Sequence, residues 1–427
     1  MTVNRLIEKA MVKAQGAQAS LGQSESTAVS FENDKLKSVK SSQSTGMSVR
    51  VILDGKIGTS HTTDINDVDG VVARALEAAE FGSPAHFDFP GPQRGTEVRV
   101  CDDAVYPVTK EEMVRIGEEM MGLVKNYNPD ILFGAGATKG VATSQFANSA
   151  GTVHGTETTD FAVWVDGQLV RGTDILWAGH GFGCKKRDID HVEIARKAIA
   201  LFKMAENMAP ITSGDMPVIF TPEGMKVLLL ALTLGVDGKN VVLGSSPLAG
   251  KLGEKIADDG FTITDNPLID YAGSSGTYDG EGVPHRVTPL IEDGILKNFL
   301  YDLDTAGRAG VKTTGNGVGC SPTNLVIKEG NTAYEDMVKH TREGLIVHNV
   351  LGLGQGNPMS GEFSVNLHLG YKIENGEIVG RVKNVMLAGN TYDALKNIAA
   401  IGDTAEWAGG SLLTPPIQIA KLSVVAR

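Results

Sequence analysis

Cysteine is scarce in this chain. Cys101, Cys184 and Cys320 are odd in number and far apart, and no CxxC pair exists, so neither a disulfide framework nor a zinc ribbon is available. Free thiols of this kind fit a reducing, cytoplasmic setting. Long apolar runs are also missing: no window approaches the ~18 uninterrupted apolar residues of a membrane span. The N-terminus, MTVNRLIEKAMVKAQ, carries charges throughout and has no apolar core of a signal peptide. Positive charge is in deficit, with 39 Lys and Arg against 51 Asp and Glu and a net charge of −12. Lys35, Lys37 and Lys40 come nearest to a basic patch, but Glu32 and Asp34 lie beside them. A nucleic-acid surface needs a concentrated positive field, so neither nucleic acid nor membrane is expected as a partner. No Gly-x-Ser-x-Gly nucleophile elbow occurs.

What is present is enough for two cores: 427 residues, 41% of them apolar, with 52 glycines implying many turns. Val3, Leu6, Ile7, Ala10, Met11 and Ala14 share a helical face. Strands follow from Val29 to Ile57, turning at Asp54-Gly55, then a helix carrying Val68, Val71, Val72, Ala75, Leu76 and Ala79. Ser83 to Gly95 is an extended connection. A helix capped at Thr109 buries Met113, Ile116, Met120 and Val124. Strands resume from Thr143 to Ile175 with a hairpin expected at Asp166-Gly167, and a fourth helix runs from about Asp190 to Met204. The Pro210–Pro217 stretch is the expected boundary, giving an α/β N-terminal domain (residues 1–215) and a β-rich C-terminal domain (216–427). The expected class is α+β, with hairpins at Asp293-Gly294 and Asn375-Gly376, a buried helix, and further helices near Lys251–Ala257, Tyr334–Glu343 and Tyr392–Asn397.

The buried helix is expected to start at Thr221-Pro222-Glu223, with Thr as cap and Pro at the first position. Met225 to Leu234 is then apolar nearly all round, which requires burial on most sides. Tyr278 to Gly317 combines an acidic Gly-rich turn, a tight hairpin and the loop Thr313-Thr314-Gly315-Asn316-Gly317. Glycines there and at Gly352, Gly354 and Gly356 let backbone come close to another chain or a ligand. The Gly352–Gly356 run is not a dinucleotide loop, because Pro358 and Ser360-Gly361 lead into a strand rather than a helix.

In order and spacing, Tyr278–Gly282, Leu290–Gly294, Thr313–Gly317, Gly361–Ser364, Gly370–Ile378 and Ala388–Asn390 resemble the PmbA/TldD family, once called modulators of DNA gyrase. The resemblance implies a two-subunit zinc metallopeptidase acting on small or unfolded peptides. In the catalytic subunit the buried helix carries His-Glu-x-x-x-His. Anchored on Pro222 and on Ser245–Lys255, that motif falls here on Leu230, Ala231 and Gly235. The family's cysteine ligand falls near Ala408, Gly409 and Gly410. Neither hydrocarbon nor glycine can coordinate zinc, so the resemblance implies the metal-free subunit, with no cofactor of its own and zinc in a TldD-like partner. It further implies a heterodimer; the role expected of this chain is to close the partner's chamber, with the glycine-rich loops at Glu281, Thr314, Gly315, Asn316, Gly317, Gly354 and Gly356 as candidate chamber or peptide-contact loops.

Two alternatives remain open in the sequence. One is a homodimeric peptide- or protein-binding module without hydrolysis. The other is a hydrolase with an unrecognised site, resting on scattered histidines. His180 and Cys184, Glu281 and His285, His340 and His348, and His368 each read more simply as surface or satisfied core residues. Asp279, Glu281, Glu292 and Asp293 do not follow a calcium-loop spacing and read as turn chemistry.

Overall fold

The structure is a computed structural model that describes residues 3–426. It is α+β, built on three sheets. The N-terminal sheet has six antiparallel strands: β1 (Gly16–Glu32), β2 (Lys35–Leu53), β3 (Lys56–Thr62), β4 (Leu132–Asn148), β5 (Val153–Arg171) and β6 (Asp174–Cys184). Their order is β3-β2-β1-β4-β5-β6. Four helices accompany it: α1 (Val3–Ala10), α2 (Val68–Glu80), α3 (Lys110–Tyr127) and α4 (His191–Met204).

Alternation decides which face these helices cover. Ala17, Ala19, Val49 and Val51 pack with the apolar faces of α1 and α2. At the other end Val29, Phe31, Phe133, Phe161, Val163 and Val165 pack with α3 and α4. All carry odd residue numbers and so share one sheet face under the helices, while the opposite face is left to glycine, serine, threonine and a few large side chains. The helix starts follow sequence chemistry: Thr109 Oγ1 accepts the Glu112 N–H at 3.1 Å, and Asp190 caps α4 through Val192 and Glu193.

The C-terminal half opens with β7 (Gly214–Phe220) and α5 (Lys226–Val236). Strand β7 pairs with Glu343–Leu351 on one side and Ile417–Ala426 on the other. Those continue through Val385–Asn390 and Glu362–Glu374, and the last pairs back to Glu343–Leu351, closing a five-stranded barrel. Val218, Phe220, Leu345, Val347, Val365 and Leu387 share one core with Leu228, Leu229 and Leu232 of α5. Ile219, Ile346 and Tyr371 face the other way, into the core beneath α3 and α4. The Tyr371 hydroxyl donates to the Leu201 carbonyl at the end of α4, which ties barrel to helix layer. A smaller six-stranded sheet runs from Ile295–Leu296 to Glu406–Ala408. Among the described residues no helix is long and apolar enough to cross a membrane.

Three expectations need correction, and one helix was not expected at all. Asp166-Gly167 is not a turn but the middle of β5, which reverses at Gly172 (φ 62°). Gly167 is needed there because a Cβ would lie 2.6 Å from Ile131 and 2.8 Å from Phe133. The buried helix becomes regular at Lys226, four residues late, because Thr221–Gly224 form a separate turn whose Thr221 carbonyl takes the Met225 N–H. The helix expected near Lys251–Ala257 is absent; glycines at positive φ (Gly250, Gly253) break it into turns. The helix Leu303–Ala309, capped by Asp302 and Thr305, has no counterpart among the sequence-based expectations.

Candidate functional site

Helix α5 presents three chemically blank positions. Ala231 and Gly235 are buried and Leu230 is half-buried. The space beside Gly235 is taken: a Cβ there would lie 2.4 Å from the Tyr392 hydroxyl and 3.1 Å from Leu248 Cδ1. That hydroxyl donates to the Ala231 carbonyl at 3.0 Å, while Ser246 Oγ donates to the Gly235 carbonyl at 2.6 Å. Gly409 sits beside Lys226 of the same helix, a Cβ on it falling 3.3 Å from the ammonium nitrogen. The exposed loop at Gly354 passes over Leu230, with a Cβ 3.8 Å from Leu230 Cδ2. The fold therefore gathers Leu230, Ala231, Gly235, Gly354 and Gly409 around one helix, but their side chains carry no donor for a zinc ion, and the space at Gly235 is taken.

The N-terminal end of α5 opens onto a cleft between β6 and the barrel. Among the described residues strand β6 pairs with β5 alone, so its outer edge has no strand neighbour there. Beside it lies a cavity of about 360 Å³ lined by Trp164, Asp166, Trp177, His180, Glu223, His348 and His368. A second of about 430 Å³ adjoins it through His180 and His348 and reaches Thr404, Glu406 and Pro416. Further along the strand, Gly183 faces Gly409 and Gly410 across a third of about 240 Å³.

Three histidines unremarkable by spacing meet here, one from β6 and two from the barrel. Thr221 Oγ1 and His348 Nδ1 are hydrogen-bonded at 3.0 Å. Burial pushes the His348 pKa down to about 4, and lowers His180 and His368 as well, so all three are neutral near pH 7. Glu223 pairs with Lys226, and Lys197 donates to Glu406 at 2.8 Å. Among the described residues no three His, Cys, Asp or Glu side chains gather closely enough to hold a metal ion. Sequence reading passed over this group because its members lie on elements from both halves of the chain.

The Tyr278–Gly317 stretch is placed differently. Glu281, Thr314, Gly315 and Asn316 are buried, and Gly317 is half-buried. Glu281 pairs with Arg50 of β2 at 2.5 Å and accepts the Leu303 N–H at 2.7 Å. Thr314 Oγ1 accepts the Tyr301 N–H, and Asn316 Nδ2 donates to Asp265. Gln18 donates to the Gly280 carbonyl, and the His154 ring stacks between Phe146 and Tyr278 at 4.6 and 4.5 Å. These side chains are engaged inside the molecule, clamping the C-terminal half to the N-terminal sheet. Gly354 and Gly356 stay exposed.

Asp279 carries a pH prediction. It accepts the N–H groups of Glu281, Val283 and Gly317, yet burial, the dominant influence, raises its pKa to about 6. The folded protein therefore holds this proton more tightly than the unfolded chain does. Its stabilising contribution is full below the unfolded value of 3.8 and is lost as pH rises through about 6. Measured by urea unfolding, the stability of wild type relative to Asp279→Asn should fall by roughly 2 kcal/mol from about pH 4.5 to about pH 7.5. A pH-independent difference would contradict this.

Comparison with known proteins agrees with this architecture. Residues 213–426 match the model of the PmbA/TldA metallopeptidase C-terminal domain, and residues 17–79 match PmbA/TldA metallopeptidase domain 1. A protein named metalloprotease from Methanothermobacter thermautotrophicus is 29% identical over 414 residues, covering 89% of this chain and 86% of its own. Metalloprotease PmbA of Escherichia coli O157:H7 is 25% identical, covering 98% and 95%. The crystal structure of TldE from Thermococcus kodakarensis superposes with a TM-score of 0.91 at 22% identity, covering 99% of each chain, a likeness of fold.

Proposed function

The chain belongs to the PmbA/TldD metallopeptidase family, and from that premise we propose that it is the metal-free, TldE-type half of a two-subunit peptidase. The observation that carries the reading is helix α5. The positions of the zinc motif hold Leu230, Ala231 and Gly235, and the Tyr392 hydroxyl fills the space a ligand at 235 would need. The partner is a zinc-bearing, TldD-like homologue, in which metal-activated water would supply the hydrolytic chemistry.

This chain's residues would then bind and orient the substrate. The unpaired edge of β6 offers backbone N–H and C=O groups to an extended peptide, the mode of strand addition. Beyond Trp177, the residues Gly179, Gly181 and Gly183 keep one face of that strand free of further side chains. An extended chain can enter such a cleft and a folded protein cannot, which suits small unfolded peptides as substrates. The exposed Gly352–Gly356 loop, lying over α5, is the chain's best candidate for a chamber wall facing the partner.

Titrating this chain into its zinc-bearing homologue tests the proposal. Cleavage of an unfolded peptide should be absent with this chain alone, rise on mixing, and saturate at one-to-one stoichiometry. Peptide capture without any gain in cleavage by the homologue would favour the homodimeric binding module instead.

A further inference from the structure

On the face of the N-terminal sheet opposite its helices, one carboxylate stands without a partner among the described residues. Asp166, in the middle of β5, is half-buried, and among the described residues its side chain has no hydrogen-bond donor and no ion pair. Its surroundings are constructed by the register. Gly134 of β4 and Gly179 of β6 lie directly opposite it, and Gly136 and Gly181 lie opposite Trp164. A Cβ at Gly134 would be 2.9 Å from Asp166 Oδ1, and one at Gly136 would be 2.6 Å from the Trp164 ring. Glycine on both flanks thus lets the indole lie down on the sheet and leaves the carboxylate open. Trp177, opposite Gln168 on the same face, completes the group.

Trp164, Asp166 and Trp177 border two cavities, of about 360 and about 290 Å³, one running towards His348 and His368 and the other towards Glu32 and Lys37. Lys37, the cation of this chain nearest by lining, pairs with Glu32 instead. The three histidines of the first cavity are held neutral by burial. Among the described residues nothing therefore neutralises Asp166, and burial raises its pKa accordingly. An unpaired anion between two indoles is the arrangement that receives an organic cation: the carboxylate takes a charge-assisted hydrogen bond and the ring faces attract positive charge.

We propose that the Trp164–Asp166–Trp177 recess binds a lysine or arginine side chain of a peptide lying along β6. This rests on the peptide-binding role given above for the β6 cleft, and it adds a preference for basic residues at one substrate position. An aliphatic stem can lie on the indoles while the terminal charge meets Asp166.

Two of the chain's three tryptophans line the recess, so indole fluorescence reports on it directly. The probes are N-acetyl-lysine methylamide and its uncharged counterpart, N-acetyl-norleucine methylamide, titrated into the full chain. The lysine amide should change the emission saturably, with affinity about tenfold above the norleucine amide. Asp166→Asn should bring the two together. Equal binding of both amides by wild type overturns the proposal without recourse to any variant, as does a lysine preference that survives in Asp166→Asn. Cleavage by the mixed subunits is scored separately on a lysine peptide and its norleucine analogue. Discrimination between the amides with no cleavage on mixing leaves the recess standing and removes the peptidase role. Cleavage on mixing with no discrimination does the reverse.

Discussion

Arg50→Met should cost about 3–5 kcal/mol of unfolding free energy, measured by urea denaturation. Glu281 is fully buried, and Arg50 is 13% exposed where it reaches across from β2 to meet it. Burial raises the Glu281 pKa, while Arg50 and the Leu303 N–H oppose that rise. Removing the guanidinium leaves a carboxylate sealed in the protein with one backbone donor, and it must take up a proton or draw in water. The guanidinium also stands 4.4 Å over the Phe87 ring, a cation–π contact that goes with the charge, while methionine keeps an apolar stem of similar reach. Replacing both partners, as Arg50→Met with Glu281→Met, should recover more than half of the loss, because no orphaned charge remains. A single variant within about 1 kcal/mol of wild type would show that the pair does not clamp the two halves.

Gly235→His, which restores one residue of the zinc motif, should destabilise the chain by about 2–3 kcal/mol. Histidine is a better helix former than glycine by only a few tenths of a kcal/mol, far too little to offset the collision. The new Cβ falls 2.4 Å from the Tyr392 hydroxyl, which must leave and give up its bond to the Ala231 carbonyl. In a Tyr392→Ala background the same substitution should cost less than half as much, since the obstruction is gone. Equal costs in both backgrounds would mean that Tyr392 does not fill the position. Tyr392 and Leu248 occupy the space that any side chain at position 235 would need, so a donor placed there has to displace them.

How legible the molecule was varied with the range of the interactions involved. Local turn chemistry could be read directly: Asp293-Gly294 and Asn375-Gly376 have the positive φ angles that their sequence demands. The helices with strong 3.6-residue patterns lie where the pattern puts them, down to the Thr109 cap. The destination of the Tyr278–Gly317 stretch was not legible, because Gln18, Arg50, Phe146 and His154 reach it from more than a hundred residues away. Its glycines and acids resemble ligand-binding chemistry, yet they satisfy one another and the N-terminal sheet.

The Asp166-Gly167 misreading has a sharper cause. Asp-Gly usually turns a chain, but the flanking run Phe161-Ala-Val-Trp-Val is continuously apolar and strand-forming, and its pairing with β4 and β6, buried at every second residue, carries the strand through the dipeptide. Read as a strand, it would have set Trp164 and Asp166 on one face and exposed the recess. The histidine group beside β6 left no such signal, since positions 180, 348 and 368 are joined by the docking of the barrel and not by spacing.

Zinc content of the purified chain tests the central claim most directly. Protein expressed with excess zinc, dialysed and analysed for metal should carry no stoichiometric zinc and should cleave no unfolded peptide. One zinc per chain, lost together with peptide cleavage on adding a chelator, would contradict the account.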